Sequence, residues 1–136
     1  MAASTARRWF GHVRRDLNTA WSAARGPRAE PGNAAYFLHE AAEKLIKGLL
    51  VLREIRPAKT HDLEVLARKL PDDLTTKQEL IDLRDLTPYG VAFRYPDQPE
   101  TTAEPSLEEI DRWIERLEDL LARAERLLAE QATNGK

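Results

Sequence analysis

The chain contains no cysteine, which excludes disulfides, thiolate catalysis and thiolate-held zinc. No stretch approaches the roughly 18 apolar residues that a membrane span needs. No secretory h-region follows the start, so the expected location is the cytoplasm, with no membrane attachment. Serine is scarce. Ser4, Ser22 and Ser106 are the whole supply, two of them read as helix caps, and none suits a serine triad. A glycine-rich phosphate loop is also missing. Histidine occurs at 12, 39 and 61, with none between Leu63 and Lys136.

Helical periodicity fills the rest. Phe10, Val13, Leu17, Ala20 and Ala24 step by three and four and predict a first helix from about Ser4 to Arg25. Gly26-Pro27 ends it, and Pro31-Gly32-Asn33 completes a loop. Phe37, Ala41, Leu45, Leu49 and Leu52 predict a second helix over about Ala34 to Ile55, stopped by Pro57. Glu40 with Lys44, and Glu43 with Lys47, stand four apart in the favourable order and predict two local ion pairs. Thr60 is placed to cap a third helix carrying Leu63, Leu66 and Leu70. Thr76 with Glu79 has the form of a capping box for a fourth, which Pro88 ends or kinks. Ser106 with Glu109 has the same form before a last helix reaching about Gln131. Trp113, Leu120 and Leu127 lie beside that helix's main apolar row, a width that predicts a homodimer surface. Nothing alternates like a strand. The expected fold is all-α, an up-down four-helix bundle with an additional short helix. It forms one domain over residues 1–136, fraying at about 1–4 and 131–136.

A net charge of -2 conceals an asymmetry. Met1 to Arg28 holds six arginines and one acid, whereas Glu100 to Glu130 holds ten acids and four arginines. Two such helix faces attract each other within a fold, and a basic end also suits phosphate.

Three segments resemble the HEPN family: AAEKLIKGLLVL at Ala41 to Leu52, KTHDLEVL at Lys59 to Leu66, and YGVAFRYPD at Tyr89 to Asp97. The resemblance implies a dimeric helical bundle that binds nucleotide or RNA. Some members are ribonuclease toxins paired with a minimal nucleotidyltransferase, and that protein is the implied partner here. Nuclease members carry an arginine, then four to six intervening residues, then a histidine, late in the chain. Arg7 with His12 and Arg56 with His61 have the spacing, but neither pair lies late.

Arg94 is the leading residue for anion contact, since a guanidinium grips phosphate in two prongs and Tyr95 offers a stacking face. Its alternative is an ion pair with Asp97, while the aromatics plug the bundle end. His61, Lys47 and Lys44 complete the ligand-binding set, and His61 and Arg56 are the catalytic candidates. His39 lacks the Glu-x-x-His pattern of helical metal centres, Tyr36 standing where the acid belongs, so no metal and no cofactor is expected. Three functions remain open: a nucleotide- or RNA-binding module, a metal-independent ribonuclease toxin, and a ligand-free dimerisation module.

Overall fold

A computed structural model describes residues 1–93 and 102–134. Helix α1 spans Ala2–Ala23, α2 Pro31–Leu52, α3 Leu63–Arg68, α4 Lys77–Ile81 and α5 Leu107–Asn134; a 3-10 helix, Asp82–Gly90, continues α4. The described residues form an all-α bundle without strands. Three sides are the long helices α1, α2 and α5. The fourth is α4 running into the 3-10 helix, and α3 is the short addition. Helix α2 is the central element, packing on α1, α5, α3 and the 3-10 helix. Accordingly Leu38, Ala41, Ala42, Leu45, Ile46 and Leu50 are fully buried.

Helix α2 starts a turn earlier than the apolar spacing marks. Pro31 occupies its first turn, where a missing N–H costs nothing and the fixed φ favours the helix. Its other end closes on a backbone lock. The Ile55 N–H donates to the Leu50 carbonyl at 2.8 Å and the Glu54 N–H to the Val51 carbonyl at 2.9 Å, with Glu54 at φ 59°.

Local signals were kept or lost according to distant competitors. At the head of α5 the capping box forms: Glu109 N–H donates to Ser106 Oγ at 3.1 Å, and Ser106 N–H to Glu109 Oε1 at 3.0 Å. The predicted box at α4 does not. Thr76 is buried and caps nothing with its side chain, and Glu79 turns instead to Arg123 on α5, with contacts of 3.0 and 2.6 Å. Helix α3 is capped by Asp62, which accepts from Val65 N–H at 3.1 Å, rather than by Thr60. Thr60 instead receives the Asp62 N–H at 3.1 Å.

The charge asymmetry between the two ends is partly spent inside the fold. Arg14 pairs with Glu125 at 3.1 Å and Arg25 with Asp111 at 2.9 Å, both joining α1 to α5. Among the described residues no helix is long and apolar enough to cross a membrane.

Candidate functional site

Helix α2 projects His39, Glu43 and Lys47 from one face at steps of four. The chain returns after Pro57 and lays His61 over that face. Glu43 is the hub. Its Oε1 meets His61 Nδ1 at 2.9 Å and its Oε2 accepts from Lys47 Nζ at 2.7 Å. Only 9% of the Glu43 side chain is exposed, against 83% for His61. A nearly buried carboxylate thus holds one nitrogen of an exposed imidazole. Its other nitrogen, Nε2, has no hydrogen-bond partner among the described residues.

His39 lies beneath. Its Nε2 is 3.1 Å from the His61 carbonyl oxygen and its Nδ1 3.4 Å from Glu40 Oε2, with Glu43 Oε1 at 4.0 Å. Both ring nitrogens face acceptors, and only an imidazolium can donate to both. Burial is the largest single influence on His39 and opposes its charge. The hydrogen bonds to Glu40 and the His61 carbonyl, with the charges of Glu43 and Glu40, outweigh burial and raise its pKa. Glu40 is lowered, first by its bond to His39, against the opposing effect of burial. The 3-10 helix closes over this ring: a Cβ on Gly90 would stand 2.9 Å from His39 Cε1.

Above these residues opens a recess of about 510 Å³, lined by Tyr36, Glu40, Thr60, His61, Thr87 and Val91 among others. The three family-like segments meet here: the first supplies Glu43 and Lys47, the second Thr60 and His61, the third Gly90 and Val91.

Of the sequence candidates, His61 and Lys47 come together through Glu43. Lys44 does not join them. It binds Asp16 of α1 at 2.7 Å, not Glu40, and lines a different groove. The expected Lys47–Glu43 pair forms. Arg56 is exposed and is not among the lining residues. Arg94 and Tyr95 lie outside the described residues. The residues that sequence reasoning undervalued are Glu43 and His39. Their signal was the shared four-residue spacing with Lys47, but the return of His61 onto that face is not written locally.

His39, Glu40 and Glu43 each offer a ligand atom, all within 4.8 Å of one another. The Lys47 ammonium already occupies Glu43, and a raised His39 opposes release of its ring nitrogens to a metal. The group fits an internal ion-pair cluster better than a cation site.

The model of the HEPN domain family matches residues 6–130. The chain belongs to the HEPN family. A crystal structure of TT1696 from Thermus thermophilus shares the fold with a TM-score of 0.72 and 26% identity, covering 89% of this chain and 96% of that one. No protein with a curated description matches the chain. HEPN domains are helical domains often linked to ribonuclease or nucleotide-related roles.

Proposed function

We propose that this HEPN domain binds nucleotide or RNA in the recess, as one unit over residues 1–136 and as a homodimer, beside a nucleotidyltransferase partner. The observation that carries the proposal is the 2.9 Å contact between buried Glu43 and exposed His61. A solvent-facing histidine normally samples several rotamers. This one is held at a cavity mouth with Nε2 available. Arg94 and Tyr95 follow Val91 by three and four residues in the chain, and are assigned to phosphate and base contact respectively.

The same contact favours a second reading, a metal-independent ribonuclease. An imidazole oriented by a carboxylate is the arrangement of a general base. His61 Nε2 would take the proton of a ribose 2′-hydroxyl as that oxygen bonds the adjoining phosphorus. The 5′-oxygen would depart and take a proton from water.

The two readings separate on purified protein with a labelled oligoribonucleotide. In a binding module His61→Ala keeps most affinity, since one neutral hydrogen bond contributes about 0.5–1.5 kcal/mol. In a nuclease it lowers the cleavage rate by roughly 10²–10⁴-fold, and Glu43→Gln lowers it with a shifted pH profile. If the protein neither binds nor cleaves RNA or nucleotides, and Arg94→Lys only lowers the melting temperature, both readings fall and the domain is a ligand-free dimerisation module.

A further inference from the structure

Among the described residues the recess is poor in spare positive charge. Each cation beneath it already faces an acid: His39 with Glu40, and Lys47 with Glu43. Asp62 adds a carboxylate at the rim. A strand of RNA brings a phosphate for every base, and its affinity comes largely from cations that replace counterions. Among the described residues, unpaired cations stand at a neighbouring opening. A second groove, of about 480 Å³, lies between α1 and α2 and is lined by Thr5, Arg8, Trp9, His12 and Lys44. Arg8 and His12 are exposed and have no ion-pair partner among the described residues. Arg15, one turn beyond, is likewise exposed and unpaired.

Trp9 distinguishes this groove from an ordinary basic helix face. Arginine already covers the other two tryptophans, with Arg25 4.2 Å from the Trp21 ring centre and Arg116 4.6 Å from that of Trp113. Trp9 carries no such cation among the described residues. It is half-buried, with its Cβ close against the backbone of α2 at Gly48, and it lines the groove. Aromatic rings beside unpaired cations are what unpaired bases and their phosphates recognise. Glu40 lines the recess and Lys44 the groove, four residues apart on α2, or about 6 Å of helix rise. The two openings are therefore neighbours on one helix.

We infer that the α1–α2 groove is a second contact for single-stranded RNA, with Trp9 stacking a base and Arg8 and His12 holding phosphates of a strand that also enters the recess. This rests on the RNA reading above and narrows the ligand to an oligonucleotide rather than a mononucleotide.

The test compares an oligouridylate long enough to span both openings with uridine monophosphate, on the full chain. Trp9→Leu and Arg8→Glu are expected to weaken oligouridylate binding by about tenfold or more. Both should leave uridine monophosphate binding unchanged, and Trp9→Phe should keep most of the affinity. In a Trp21→Phe, Trp113→Phe background, oligouridylate but not uridine monophosphate should quench the remaining Trp9 fluorescence. Unchanged oligouridylate affinity in folded Trp9→Leu and Arg8→Glu proteins, with uridine monophosphate still bound, would overturn the groove and leave the recess standing. Failure of the wild-type chain to bind either ligand would overturn both. Groove variants that lose only an acidic protein partner would show that the surface takes protein instead of RNA, and would overturn the inference as well.

Discussion

Glu43 and His61 are eighteen residues apart in the chain, and neither announces the other. Each was legible as a type: an acid four before a lysine, and a histidine at a helix start. Their meeting depends on how the chain turns after Pro57, which no local pattern encodes. Lys44 shows the converse. Its favourable spacing to Glu40 is local, yet Asp16 on α1 captures it, because a nearly buried carboxylate offers a less screened partner than a solvated one. Arg94 and Tyr95, which sequence reasoning ranked first, lie outside the described residues. His39 gives a pH signature. Its pKa is raised above the ordinary 6.5, so its stabilising contribution is fully present below pH 6.5 and is lost as pH rises through the folded value. Glu40 is lowered from 4.5, so its contribution is present above pH 4.5 and is lost as pH falls through its folded value. Melting temperature should therefore peak between these limits and decline on the alkaline side. His39→Gln should flatten that alkaline arm. A wild-type profile that stays level from pH 6.5 into the mildly alkaline range would show that His39 is neutral in the fold.

At the scale of helices, the apolar stripes located every long element, because burial of a periodic face is decided within one segment. Ends were harder, since they answer to single residues. The α2 terminus is a case with a measurable cost. Glu54 adopts φ 59° in the position where glycine is usual, and its charge faces the negative end of the helix. Relief of the left-handed strain, less the entropy of a freer unfolded chain, makes Glu54→Gly stabilising by about 1 kcal/mol, or roughly 3 °C in melting temperature. A lower melting temperature would show that the Glu54 side chain holds something more. Glycines inside helices divide by what surrounds them. A Cβ added at Gly11 on α1 would have nothing within 4 Å, so Gly11→Ala should stabilise by up to about 1 kcal/mol through helix propensity. Gly48 on α2 faces side chains of α1 at close range. A Cβ there would stand 2.6 Å from Phe10 Cε1 and 3.0 Å from Trp9 Cβ, and Phe10 is fully buried. Overpacking of about 1–3 kcal/mol outweighs the propensity gain, so Gly48→Ala should destabilise. Denaturant midpoints that move the same way for both variants would contradict the close α1–α2 packing.

For the molecule as a whole, the width of the α5 apolar face was the sequence's argument for pairing, and much of that width is used within one chain. Leu120 is buried, and Trp113 and Leu127 pack against the core. Among the described residues the large apolar side chains left exposed, Met1, Trp21, Val65, Val91 and Leu107, are spread along the chain rather than gathered on α5. The stronger case for a dimer comes from the chemistry of the recess. Cleaving a phosphodiester takes one group to accept a proton and another to supply one. Among the described residues each recess has one exposed imidazole, His61, and its cations are paired to acids. An isologous two-fold pairing presents the same patch twice and brings a second His61 without any further sequence. Sedimentation at tens of micromolar, a range in which folded association is commonly observed, should then show a species of twice the chain's 15.5 kDa. Because His61 is exposed rather than packed, His61→Ala should leave that mass unchanged while it alters RNA chemistry. A 15.5 kDa species that still binds RNA would assign the whole site to one chain. It would also leave water, rather than a second imidazole, to supply the proton in the ribonuclease reading.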